Sequence, residues 1–164
     1  MIKVLYLHGL DSFLQEDRRE VLSQYCQIEA PVLDYLHSTG LFEQLLEKYK
    51  DITAIIGSSA GGLIAYYLAQ KLQKPCLLFN PALSHHSQMP FPHFFDKNYT
   101  QYMQIVLGRQ DEVISYEVSL KILLNDLSEK QDAEVHLINK MQHSYPISIF
   151  KQEVSYFFDK ILHK

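Results

Sequence analysis

Short apolar runs alternate with amphipathic stretches along the whole chain, and few architectures accommodate that order. Ile2–Leu7, Gln27–Ala30, Ile52–Ile56, Cys76–Phe79, Gln104–Leu107 and Glu134–Ile138 have the length and composition of strands. Val4-Leu5-Tyr6-Leu7 and Leu77-Leu78-Phe79 are apolar at consecutive positions, so both faces of those strands must be covered. Between the runs, residues recur at helical spacing: Leu14, Arg18, Val21, Leu22 and Tyr25; Leu41, Phe42, Leu45, Leu46 and Tyr49; Leu63, Ile64, Tyr67, Leu68 and Leu72. Val118, Ile122, Leu123 and Leu127 mark a fourth helix, and Phe150, Val154, Phe157 and Ile161 a fifth. Parallel strands need long crossovers, and helices are the usual ones, so the pattern predicts an α/β fold. We expect a mostly parallel six-stranded sheet with helices on both faces. At 164 residues the chain is the size of one domain, spanning 1–164.

Composition removes several classes of function. A hydrophobic fraction of 47% with six Gly and six Pro excludes collagen-like and disordered chains. A net charge of −4 offers no basic field to a phosphate backbone, so nucleic-acid binding is not expected. Cys26 and Cys76 form neither a disulfide framework nor a metal-ligand spacing, which suits a reducing compartment such as the cytoplasm. The apolar run Ile2–Leu7 is too short for a signal peptide or a membrane span, so no membrane association is expected. His85, His86 and His93 lack a neighbouring carboxylate or thiolate at ligand spacing, so neither a metal nor another cofactor is expected.

The chemistry concentrates in four loops. Gly57-Ser58-Ser59-Ala60-Gly61 is a Gly-x-Ser-x-Gly pattern that directly follows a β-branched strand and directly precedes an amphipathic helix. A strand-to-helix turn that sharp requires small flanking residues and lifts the serine hydroxyl clear of the sheet. The following helix turns its free N–H groups and positive dipole end toward the same place. Ser59 is therefore the candidate nucleophile, in preference to Ser58, which lacks the flanking glycine register. The competing interpretation is a serine that merely caps the helix.

A serine nucleophile needs a base, and the base needs an acid to hold its tautomer. After the fifth strand come Asp111 and Glu112; Asp111 is preferred because its shorter side chain leaves less slack for orienting an imidazole. After the sixth strand comes His143, in a loop at the same sheet edge, whereas His136 lies within a strand and His163 at the chain's end. The order Ser, Asp, His matches that of an α/β-hydrolase. His8-Gly9, after the first strand, places a backbone turn beside the serine, so the Leu10 and Ala60 N–H groups form a candidate oxyanion hole, with His8 read as a structural side chain. Asp11 and Ser12 could touch substrate or cap the next helix. The long segment Pro81–Thr100 has no clean period; its Met89, Phe91, Phe94 and Phe95 either wall an acyl pocket or pack beneath a long loop.

Tyr6–Gly9, Gly57–Gly62, Asn80-Pro81, Asp111–Val113 and the late His143 together resemble the compact YqiA-type bacterial esterases of the α/β-hydrolase superfamily. The similarity extends over nearly the whole chain, with no room for a cap domain. It implies a Ser59, Asp111, His143 triad acting on a small-molecule ester or thioester with a short or medium acyl chain. A peptidase or amidase would use the same triad, and a non-catalytic relative would keep the fold to bind a ligand or partner.

Overall fold

A computed structural model describes residues 2–88 and 94–163. The elements follow in chain order as β1 (Lys3–Leu7), α1 (Glu16–Ser23), β2 (Gln27–Glu29), α2 (Leu41–Lys48), β3 (Ala54–Ser58), α3 (Ala60–Leu72) and β4 (Cys76–Phe79). A 3₁₀ helix (Leu83–Gln88), β5 (Met103–Gly108), α4 (Tyr116–Asp126), β6 (Ala133–Ile138) and α5 (Ile147–Leu162) complete them. The six strands form one sheet in the order β2-β1-β3-β4-β5-β6, and every pairing is parallel. The sheet expected to be mostly parallel is thus parallel throughout the described residues.

Strand alternation divides the core into two layers. Leu5, Leu7, Ile55, Leu78, Ile105 and Leu107 face α2, α3 and α4, where Phe42, Leu45, Leu63, Tyr66 and Leu123 meet them. Val4, Tyr6, Ile56, Leu77, Phe79 and Val106 face α1 and α5, against Val21, Leu22, Phe150, Val154, Phe157 and Phe158. Full burial of such side chains stabilises by about 1.5–3 kcal/mol each, which is why the four central strands read as apolar runs, broken in β5 by the buried Gln104. The flanking strands β2 and β6 are only partly buried. Helix α5 carries one charged residue into this core: Glu153 accepts hydrogen bonds from Gln104 Nε2 at 2.7 Å and His136 Nδ1 at 2.6 Å, which ties the helix to β5 and β6.

Register brings the strand ends into line. Leu7 pairs with Gly57, Gly57 with Leu78, Ser58 with Phe79 and Gly108 with Ile138. The loops bearing His8, Ser59, Asn80, Asp111 and His143 therefore all leave the same edge of the sheet. Strand β3 runs two residues further than the apolar pattern suggests, to Ser58, so the turn begins at Ser59 itself. Among the described residues no helix is long and apolar enough to cross a membrane.

Candidate active site

Ser59 stands between β3 and α3 with φ 55° and ψ −118°, a conformation that L residues avoid because of the Cβ clash. Three backbone hydrogen bonds hold it there. Its N–H donates to the Phe79 carbonyl, and its carbonyl accepts from Leu63 and Ala82, each at 3.0 Å. Glycine is obligatory on the helix side of the turn: a Cβ on Gly61 would overlap the Leu7 and His8 carbonyl groups. On the strand side a Cβ on Gly57 would lie 2.7 Å from that of Ala65. Although Ser59 occupies the N-cap position of α3, its hydroxyl does not cap the helix and hydrogen-bonds to none of the described residues. Ser58 differs, since its Oγ lies 3.2 Å from the Tyr145 hydroxyl.

His143 Nδ1 is 2.8 Å from Asp111 Oδ2. The Asp111 side chain is 1% exposed and that of His143 27%, so the acid is enclosed while the imidazole reaches solvent. The other carboxylate oxygen, Oδ1, accepts the Val113 and Ile114 N–H groups at 2.8 Å each, which fixes the carboxylate plane before histidine is considered. Glu112, by contrast, is exposed. Nδ1 being engaged, Nε2 is the imidazole nitrogen left for proton transfer.

The histidine loop is held by residues on both sides of it. Met141 is fully buried and its carbonyl accepts from Gln110 N–H at 3.0 Å. Tyr145 is buried, stacks on Phe79 with ring centroids 4.8 Å apart, and its carbonyl accepts from Arg18 Nη2 at 2.8 Å. Between these anchors Asn80, at φ 40°, donates from Nδ2 to the Gln142 and His143 carbonyls at 3.0 and 3.3 Å, while its Oδ1 accepts the Gly108 N–H at 2.8 Å. One buried amide thus joins the ends of β4 and β5 to the histidine loop. In the sequence, Asn80-Pro81 appears only as part of a family pattern; the structure adds a left-handed backbone, which asparagine tolerates better than most residues.

Asn80→Asp should cost about 2 kcal/mol in urea unfolding, because a carboxylate keeps the Gly108 contact but faces two carbonyls with no donor. Wild-type stability in that variant would refute the bridging role.

His8 is buried. Its Nε2 accepts the Leu33 N–H at 2.8 Å, which leaves the ring proton on Nδ1 to donate to the Gly9 carbonyl, and its own carbonyl accepts from the Tyr35 hydroxyl. Both ring nitrogens are thus occupied, Nδ1 within the loop after β1 and Nε2 with Leu33, and Nε2 together with the His8 carbonyl ties that loop to residues 33–35. The Leu10 and Ala60 N–H groups hydrogen-bond to no acceptor among the described residues, and Ala60 is the first residue of the 13-residue helix α3.

Ser59, Leu10, Ala60 and His143 line one cleft of about 600 Å³. Its apolar wall comes from Leu10, Phe13, Leu36, Leu63, Val113 and Ile114. Of the residues expected to wall an acyl pocket, Met89 and Phe91 lie outside the described residues. Phe94 is 71% exposed, under the Lys71 ammonium, and borders a different cleft with Tyr67 and Gln70. Phe95 is buried against Tyr66 and Tyr99. The described part of the 81–100 segment reaches the Ser59 cleft through Ala82, His85 and Gln88, and the loop after β1, the 31–40 segment and the loop after Asp111 supply its apolar wall with Leu63 of α3.

Burial pushes the Cys26 and Cys76 thiols up to about 11 and about 12, so neither supplies a thiolate. Among the described residues no three His, Cys, Asp or Glu side chains are grouped to hold a metal ion.

The profile of the uncharacterised protein family UPF0227 matches residues 3–104, more than half of the chain and the part that carries Ser59. The chain belongs to the UPF0227 family. No curated protein matches this UPF0227 chain significantly in sequence. Solved structures extend the likeness over the rest of the chain. A protein of the α/β hydrolase superfamily from Xanthomonas campestris superposes with a TM-score of 0.72 at 19% identity, covering 99% of both chains. Est1E from Butyrivibrio proteoclasticus gives 0.70 at 18% identity over 99% of this chain and 89% of its own. The Bacillus cereus carboxylesterase gives 0.64 at 18% identity over 97% and 88%. At such identities the likeness establishes the fold alone, and this UPF0227 member has the α/β-hydrolase fold.

Proposed function

We propose that the protein is a serine hydrolase that cleaves a small-molecule acyl ester or thioester through an acyl-enzyme. The observation that carries this reading is the hydrogen bond from His143 Nδ1 to the enclosed Asp111 carboxylate, at the rim of the cleft in which Ser59 holds its uncapped hydroxyl. A serine and an imidazole lining one cleft, with an enclosed acid orienting the imidazole, have a chemical use and no packing use. The Bacillus cereus carboxylesterase, which shares the fold, and Est1E, which has been solved with ferulic acid bound, favour an ester substrate over an amide.

In this mechanism Ser59 Oγ attacks the carbonyl carbon while its proton passes to His143 Nε2. The carbonyl oxygen becomes an oxyanion and accepts the Leu10 and Ala60 N–H groups, with the positive end of α3 behind it. Collapse breaks the bond to the leaving alkoxide or thiolate, which takes the proton from His143. A water then attacks the acyl-serine and gives its proton to His143. The second collapse returns that proton to Ser59 Oγ and releases the acid. Asp111 keeps the Nδ1 proton in place and stabilises the imidazolium.

A fluorophosphonate probe should add to wild-type protein and, after digestion, be found on the peptide carrying Ser59. A folded protein that stays unlabelled, or is labelled at Ser58, would overturn the nucleophile assignment.

A further inference from the structure

We propose that Arg18 recognises an anionic group, separate from the bond that is cleaved, on the substrate of the Ser59 cleft. The inference rests on the hydrolase reading and adds a substrate class to it. Helix α1 brings Arg18 to the lining of this cleft, where among the described residues it is the one of permanent charge, and no described Asp or Glu lines it. In a chain with four more acidic than basic side chains, that selection of charge needs a reason.

The guanidinium is partly buried and has no anionic partner among the described residues. Nη1 donates to Gln15 Oε1 and Nη2 to the Tyr145 carbonyl, both at 2.8 Å and both neutral. Nε is buried without an acceptor. The planar group lies over the Tyr145 and Phe150 rings, 4.7 and 5.5 Å from their centroids. The neighbouring Asp17 carboxylate accepts the Arg18 backbone N–H at 2.7 Å and forms no salt bridge with the guanidinium. Each terminal nitrogen therefore keeps one uncommitted N–H, the paired donors that suit a carboxylate or phosphate.

Holding Tyr145 in place could be done by any neutral donor. A partly desolvated cation with no counter-charge carries a cost, and a binding site is where that cost is recovered. The cleft is also divided. Ser12, Gln15, Arg18, Ser144 and Tyr145 gather on the side of α1 and α5, while Leu63, Ala82 and Ile114 belong to the core layer of α2, α3 and α4. An ester that bridges Ser59 would thus place an apolar group against the second set and an anion against the first.

The test uses Ser59→Ala protein, which binds without turnover, and compares two charged esters with neutral partners of similar shape. One pair is 4-nitrophenyl hydrogen glutarate and 4-nitrophenyl butyrate, with the anion on the acyl part. The other is butyrylglycerol phosphate and butyrylglycerol, with the anion on the alcohol. At least one charged ester should bind more tightly than its partner. Arg18→Gln should weaken that ester by about 10- to 100-fold more than the neutral one, and Arg18→Lys should retain part of the preference. The preferred pair tells which side of the substrate carries the charge. Equal binding within both pairs, or an Arg18→Gln loss that is the same for charged and neutral esters, overturns the proposal. Failure of the hydrolase reading is separate: wild-type protein would then cleave none of the four, whatever the binding preference.

Discussion

Replacing Ser59 with alanine is expected to lower ester turnover by about 10⁴-fold or more while leaving urea unfolding within about 0.5 kcal/mol of wild type. The two halves of that result come from the same observation. The Ser59 hydroxyl neither caps α3 nor meets a partner among the described residues, so its removal breaks no bond that supports the fold. Alanine can hold the same strained backbone, because the bonds to Phe79, Leu63 and Ala82 are made by main-chain atoms. What disappears is the atom that would become acylated. Fluorophosphonate labelling should vanish in parallel. Turnover above one-hundredth of wild type in folded Ser59→Ala protein would show that the chemistry runs elsewhere.

The second large effect is expected at Asp111. Changing it to asparagine should reduce turnover by about four orders of magnitude with the fold retained. The substituted side chain can still accept the Val113 and Ile114 N–H groups through its Oδ1, so the loop geometry survives. Its amide nitrogen would then face His143 Nδ1 and donate to it. That contact forces the ring proton onto Nε2, the nitrogen that must be empty to accept the Ser59 proton. Glu112→Gln provides the contrast, since Glu112 is exposed and no such tautomer argument applies to it. If that change is the crippling one and Asp111→Asn is mild, the acid has been misassigned. Turnover should be read alongside unfolding midpoints, so that a lost fold is not mistaken for a lost tautomer.

Much of the architecture is legible before any coordinates. Strands apolar on both faces are a local property of the chain, and they specify a sheet buried between helices wherever they occur. The same holds for the turn at Ser59, whose glycine spacing reports a steric demand within five residues. The short strand β2 and the half-exposed β6 carry a weaker pattern because only part of their surface is buried. The segment 81–100 reads poorly for another reason. Its described aromatic residues are divided between the core and the surface, Phe95 and Tyr99 inside and Phe94 outside, and periodicity does not separate these at 94–99, which form neither helix nor strand.

The site divides along the same line. Ser59, Asp111 and His143 are conspicuous in the sequence because each follows a strand, and parallel strands bring their carboxyl ends to one edge by construction. Asn80, Arg18 and Tyr145 have no local signature of comparable strength. Asn80 gains its role by reaching 62 residues along the chain to the Gln142 carbonyl, and Arg18 by reaching 127 residues to that of Tyr145. The cleft wall likewise depends on His8 capturing the Leu33 N–H, a contact between two loops of unrelated pattern. The chain by itself determined the parallel α/β sheet, the sharp turn at Ser59 and the edge where reactive side chains collect, since these follow from short-range sterics and burial. Only the tertiary structure decided which carboxylate meets His143, which loops enclose the serine and that Arg18 lines the same cleft, because those pairings are made between residues far apart in the chain.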